Sequence, residues 1–435
     1  MDHSRTIRAR FQLVPILSAL FCVSVFVVGC ARQAATQANS RVTIVFKHAK
    51  YPHSEYLQQL IERFQAEEPG IHVREEILPS STDQQHQFYV INLEGGSSDF
   101  DVMDMDTIWV PEFSRAGWLV ELTPFVSPAE LSPLNKAALQ ADWFGGKLYA
   151  VPWFVDTGIL YYRKDLLEKY GFSPPQTYAE LSRMARVILA GERNPRLTGF
   201  LWQGMQYEGL VCVALEFIRG NGGDVLRPDG TPDLTSGQTL GALRFMRDLI
   251  QKQGVTPPLV ATLDEESARH VFQSGRAVFM RNWPYAWPLM QEADSPVAGR
   301  IGITNVPHFP GHSSAPTLGG FHLGVNARSH HKKEAITFVR YMIRSSVQKD
   351  IFLNLGVLPA DMHALSETSM PSDMASLSEL RPSLESARPR PVTPYYLMIS
   401  QILQPELSAV VTGLRRPEDA MQTAQRQIEH LLGEQ

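Results

Sequence analysis

The sequence predicts an α/β protein built as two lobes, and three observations carry that prediction. The chain has 435 residues, more than one hydrophobic core ordinarily serves. From residue 42 to 106 it alternates strand, helix, strand, helix, strand, the order that produces parallel pairing. Beyond that it becomes helix-rich, and Pro/Gly/Ser segments interrupt it where a chain would pass between lobes. A hydrophobic share of 44% and a charged share of 20% leave apolar residues for a core in each lobe.

The first thirty residues stand apart. MDHSRTIRAR carries Arg5, Arg8 and Arg10, and an apolar run then continues to Cys30. A transmembrane helix is the rival reading, because residues 11–28 approach the length that spans a bilayer. The early Pro15 and the ending Val27-Val28-Gly29-Cys30 favour processing instead, and the ending resembles the lipobox of bacterial lipoproteins. The expectation is a signal peptide over 1–29, a lipidated Cys30 and a flexible tether over 30–41. Cys22 then leaves with the leader. Cys212, in GLVCVALEF, is expected as a buried small hydrophobe, and no intramolecular disulfide can form.

The elements follow in order. VTIVFK (42–47) has strand composition. In the helix predicted over 56–70, Leu57, Leu60, Ile61 and Phe64 share a face, and Pro69-Gly70 ends it. IHVREEIL (71–78) alternates as a strand, a polar helix covers 82–95, and FDVMDMD (100–106) is the next strand. Thr177 and Glu180 form a capping-box pattern that opens a helix to about Leu189. Helices follow over 237–252 and 264–274, each closed by a glycine. LGGFHLGV has strand character, and further amphipathic helices are predicted over 331–343 and 415–432. VPHFPGHSSAP (306–316) is a crossing segment and GVLPA (356–360) another break. No internal repeat is visible.

Several chemistries are excluded. The formal net charge is −5 with no basic run, so nothing points to nucleic acid. No P-loop, complete dinucleotide fingerprint, H-E-x-x-H or C-x-x-C is present. The acids Asp99, Asp101, Asp104 and Asp106 lack the glycine and distant glutamate of a calcium loop. No metal, cofactor or catalytic residue is expected.

What remains is a set of carboxylates beside aromatic rings. Asp106 ends a strand just before Trp109, and strand C-termini face the ligand crevice in parallel α/β sheets. Asp156 follows VPWF, and Glu208 follows Tyr207. RNWPYAW (281–287) holds Trp283, Tyr285 and Trp287 in a chain with seven tryptophans. Carboxylates accept hydroxyl protons in charge-assisted bonds, and indole and phenol rings cover the apolar C–H face of a sugar ring. Together they make a coherent sugar site, although a lone Asp is more often a cap and a lone Trp more often core.

Seven colinear blocks carry a family resemblance: DVMDMDTIWVPEFSRAGWLVEL, YAVPWFVDTGILYYRKDLLEKYG, WQGMQYEGLVC, FMRNWPYAW, PHFPGH, TLGGFHLGV and RPRPVTPYY. From about residue 42 onward the chain resembles the trehalose/maltose-binding proteins of ABC transporters. The resemblance implies a two-lobe periplasmic-binding-protein (Venus-flytrap) fold with a sugar held between the lobes. It implies three crossings, near 150–155, 306–316 and 356–360. The lobes are then 42–150 with 311–358, and 151–310 with 359–435. It carries over Asp106, Asp156 and Glu208 as hydroxyl acceptors, and Trp283 and Tyr285 as stacking or wall residues. Gly319 and Gly320 become close-approach positions, with Phe321 beside them, and Arg390 a donor. Trp287 is left as core. The chain departs from the pattern at His53 and Gln85, where the family carries Glu and Arg. It departs again at Phe154 in place of Tyr and Phe321 in place of Trp.

The resemblance implies a binding lipoprotein of the cell envelope, held to a membrane by its lipid on the periplasmic or outer side. It would act as a monomer and deliver an α-glucoside such as trehalose or maltose to permease subunits served by a separate ATPase. Another sugar or polyol (glucosylglycerol, a sucrose-like glycoside) and a sugar-sensing lipoprotein stand as alternatives. A secreted glycosidase would need two carboxyls at a fixed separation, whereas these acids lie in separate segments.

Overall fold

The structure, a computed structural model, describes residues 41–51, 53–79, 81–366 and 380–433. The expected leader, Cys30 and the tether up to residue 40 lie outside the described residues. Among the described residues, no helix is long and apolar enough to cross a membrane.

The chain opens with β1 (Val42–His48), α1 (Ser54–Glu67), β2 (Ile71–Ile77), α2 (Thr82–Glu94) and β3 (Val102–Asp106). β1 pairs in parallel with both β2 and β3, as the alternation predicts. Leu57, Leu60, Ile61 and Phe64 of α1 are all buried, and each contributes about 1.5–3 kcal/mol relative to exposure. β4 (Ala150–Thr157) and β5 (Ile159–Arg163) follow, then α3 (Tyr178–Glu192), β6 (Thr198–Leu201) and α4 (Glu208–Arg219). α5 (Gly237–Gln251), α6 (Glu265–Gln273), β7 (Ala277–Asn282), β8 (Ile301–Asn305) and β9 (Thr317–Val325) come next. α7 (Lys332–Met342), β10 (Leu358–Pro359), β11 (Arg388–Pro389), α8 (Tyr396–Val411) and α9 (Pro417–Gly433) complete the order.

Two sheets organise the lobes. The larger runs β10-β4-β9-β3-β1-β2, with β11 also paired to β9. Here β9 is antiparallel to both β3 and β4. Pro152 sits at a register break, since His322 pairs with Pro152 while Phe321 pairs with Phe154. A bulge of this kind is where a sheet tolerates proline. The smaller sheet runs β8-β5-β7-β6. Behind it, α4 is buried along its whole length, and Leu403, Leu407, Met421 and Ile428 of α8 and α9 join the same core.

The chain passes from the larger sheet to the smaller at Gly158, between β4 and β5. It returns through 306–316, and it leaves for good between β11 and α8. Two expected crossings therefore move. Residues 151–157 belong to the larger sheet, and Leu358–Pro359 is an edge strand on Val155 and Phe154 of β4. A single glycine inside an extended run gives no turn signal at 158, whereas Pro359 marks a sheet edge and not an exit. The last passage, near 390–395, is the one that carries Arg390.

Candidate functional site between the lobes

Three strands of the larger sheet bring the first group of residues together. In β9, Phe321 lies opposite Asp106 of β3 on one side and Phe154 of β4 on the other. Gly319 lies opposite Asp156. Asp106 and Asp156 both stand toward the C-terminal ends of their strands, the end that faces a ligand crevice in such sheets. Gly320 has φ +123°, and a Cβ there would lie 2.4 Å from the Phe154 carbonyl oxygen, so only glycine fits.

The second lobe answers across the gap. Trp283 follows β7, and a Cβ on Gly319 would come within 3.2 Å of its ring. The Trp283 Nε1–H donates to Glu265 Oε1 at 3.3 Å, and Tyr161 OH donates to its carbonyl at 2.8 Å. The Arg281 guanidinium lies 4.0 Å from the Trp283 ring centroid. Tyr285 turns its hydroxyl to Glu266 Oε1 at 2.7 Å. Trp287 is 5% exposed and packed in the hydrophobic core.

Arg390 ties the two sides. Its Nη2 donates to Asp106 Oδ1 at 2.5 Å, and its Nη1 donates to Glu208 Oε1 at 3.0 Å. Tyr396 OH also donates to Glu208 Oε1, at 2.8 Å, and the Ser400 hydroxyl donates to Oε2. Burial pushes the Glu208 carboxyl upward, and the Arg390 charge opposes that. Both Glu208 oxygens are thus supplied from within the protein, so Glu208 holds Arg390 where the sequence reading made it a hydroxyl acceptor. The atom left over is Arg390 Nε, buried and without a partner.

Asp156 also has an oxygen left over. Its Oδ1 is inaccessible and accepts no hydrogen bond. Burial pushes its carboxyl up to about 8; the Arg281 charge draws it down and Asp106 raises it further. Beneath Asp106, Asp104 is raised to about 7 by burial, although Tyr51 OH and the Ala49 N–H both donate to its Oδ2.

Carboxylates and rings from both sheets, with unpartnered buried polar atoms among them, form the arrangement of a ligand cleft between hinged lobes. The sequence profile of the bacterial extracellular solute-binding proteins matches residues 52–349. The chain belongs to that family. A probable ABC transporter-binding protein of Deinococcus radiodurans is 36% identical to this solute-binding protein over 363 residues, 82% of this chain and 86% of its own. The structure of maltose-bound T. maritima MalE3 is 37% identical and superposes with a TM-score of 0.85, covering 89% of this chain and 99% of that one. The GacH receptor of Streptomyces glaucescens, solved unliganded and with acarbose, is 24% identical with a TM-score of 0.80, over 91% of this chain and 99% of that one. That likeness shows the fold. The protein is a binder and not an enzyme.

The departures in this solute-binding protein are explained locally. His53 caps α1 with φ 54° and lies 3.6 Å from Glu55. Gln85 is buried, donates to the Pro79 carbonyl at 2.7 Å and leaves its Oε1 unpartnered. Phe154 is 2% exposed. It is packed edge-on by Tyr51 and stacked on Phe321 with centroids 5.4 Å apart. Tyr51, Glu265 and Arg281 are cleft residues that sequence reasoning missed. Each lies outside the carboxylate-beside-aromatic pattern used to search, although Arg281 adjoins the RNWPYAW stretch.

Proposed function

We propose that this chain is the solute-binding component of an ABC sugar importer, and that its lobes close on a neutral α-linked disaccharide such as maltose or trehalose. The carrying observation is the meeting of Asp156 and Trp283 at Gly319, with Arg390 following directly on the strand that pairs Pro389 with Leu318. Together they supply an acceptor, an aromatic face and a donor. The maltose complex of the 37% identical MalE3 supports the sugar class. Arg390 is already matched by Asp106 and Glu208, and Arg281 by Glu216, so neither guanidinium is left to pair with an anion; hydroxyl groups suit the cleft and phosphorylated or acidic sugars do not. Delivery to permease subunits with a separate ATPase, action as a monomer, and anchorage through a lipidated Cys30 belong to the same reading.

A smaller ligand, glucosylglycerol or another polyol glycoside, is the second reading. Its motive is that Phe154 and Gln85, both buried, stand where the resemblance expects a tyrosine hydroxyl and a charged side chain, which leaves fewer polar partners on the first-lobe side. Thermal melting of the mature protein with maltose, trehalose, sucrose and glucosylglycerol tests both readings. A ligand present at a hundred times its Kd adds about 2.7 kcal/mol of stability. Stabilisation by glucosylglycerol alone selects the second reading. No response to any of the four, with a response to a sugar phosphate, removes both.

A further inference from the structure

Arg281 has more partners than a structural cation requires. Its Nε donates to Glu216 Oε2 at 2.9 Å and its Nη2 to Glu216 Oε1 at 2.6 Å, a bidentate pair with both side chains buried. Its Nη1 donates to Gln203 Oε1 at 3.1 Å. The guanidinium covers one face of Trp283. The same ion pair also meets two of the three passages between the lobes. The Thr317 N–H, at the start of β9, donates to Glu216 Oε1 at 3.2 Å. At Gly158, a Cβ would lie 1.8 Å from Glu216 Oε1 and 2.6 Å from Arg281 Nη2. Thr317 Oγ1 adds a bond to the Cys212 carbonyl at 3.0 Å.

We propose that Arg281 is a positioning residue that fixes the Trp283 ring and ties it, through Glu216, to the hinge at Gly158 and Thr317. One face of the indole is covered by the guanidinium, its Nε1 edge is held by Glu265 and its far end lies beside Gly319, so a stacking ligand would use the face turned from Arg281. A change of hinge angle shifts Glu216 and Arg281 together, and with them the tilt of the ring. Stacking a ligand on Trp283 therefore favours one hinge angle without any ligand contact to the hinge. The affinity arm of the test rests on the sugar reading above; the fluorescence arm does not.

Removing Arg281 alone strands a buried carboxylate, so the test variant is the double Arg281→Met/Glu216→Leu. Replacing a buried ion pair with apolar residues of similar volume commonly preserves a fold. Acrylamide quenching of the ligand-free protein, taken as the difference against the same variants in a Trp283→Phe background, reports Trp283 alone. We expect the double variant to retain its melting transition, to expose Trp283 about twofold more, and to bind maltose or trehalose about tenfold more weakly. Arg281→Lys keeps the charge but not the planar fork, and should recover part of the loss. Gly158→Ala, whose Cβ would press on Glu216 and Arg281 and not on Trp283 itself, should also alter the Trp283 quenching. Unchanged Trp283 quenching in a folded double variant overturns the proposal, whichever sugar binds. Loss of sugar binding in the wild-type protein overturns only the sugar reading.

Discussion

Arg390 reaches Asp106 at 2.5 Å and Glu208 at 3.0 Å with one guanidinium. Asp106 ends a strand of the larger sheet, and Glu208 opens a helix of the other lobe, so a single side chain clasps both. The carboxylates are 6% and 4% exposed, which removes most of the solvent screening that weakens surface pairs.

The clasp makes Arg390 a determinant of closure. Removing one member of a buried, hydrogen-bonded charge pair costs about 2–5 kcal/mol. Arg390→Met should weaken sugar binding at least about thirtyfold, and small-angle scattering at saturating sugar should give a larger radius of gyration than wild type. Wild-type compaction in the variant would show that closure does not depend on the clasp.

Asp156 should leave a signature in the pH dependence of the ligand-free protein. Its folded value of about 8 lies above that of an unfolded aspartate. The native state thus holds the extra proton, and stability falls as pH rises through that window, from about 4 to about 8. Asp156→Asn cannot lose a proton there. The variant should match wild type near pH 4 and melt higher above pH 8, by an amount on the order of 5 °C. It should also bind sugar less well, having lost an ionisable acceptor. Parallel melting curves across that range would place the carboxyl in water.

Trp283 and Trp287 should separate cleanly. Covering about 60 Å² of sugar C–H surface gives about 1.5 kcal/mol, and the aromatic face adds roughly 0.5–1 kcal/mol. Trp283→Ala should therefore weaken binding about thirty- to seventyfold with little effect on the ligand-free melt. Trp287→Ala empties a core position and should cost about 3–5 kcal/mol of stability. Titration calorimetry and thermal melting on both variants decide it. A reversed pattern would make RNWPYAW a core cluster.

Anchorage is tested at the other end of the chain. Cys30→Ser should abolish lipidation and leave the leader poorly processed, read by detergent partitioning and by the mass of the mature N-terminus. A wild-type mature chain that begins elsewhere and carries no lipid mass would remove the lipoprotein reading.

Legibility in the sequence followed locality. The helix at 54–67 has a dry face and a wet one, and its period shows. The helix at 208–219 is buried all round, so no period marks it, and the helix at 396–411 is further masked by Pro405 within it. At the site, Asp106, Asp156 and Trp283 were visible because each sits beside aromatics in its own segment. The internal pairing of Glu208 was not visible, because its partners Tyr396 and Ser400 lie 188 and 192 residues away. The crossing at Gly158 was hidden for a related reason. What makes that glycine necessary is a carboxylate at position 216, not any turn in its own neighbourhood.

The interleaving of the chain sets a folding order. β9 lies in the middle of the larger sheet, between β4 and β3, yet begins at Thr317. The core behind the smaller sheet needs Leu403 through Ile428 from the last two helices. Neither lobe can be finished while only its N-terminal half exists. Contacts this distant in sequence slow folding, because loop closure must precede the reward of pairing. A chain synthesised from its N-terminus therefore stays incomplete until the helices at 396–411 and 417–433 have been made, and until then both sheets expose unpaired edges and uncovered apolar faces.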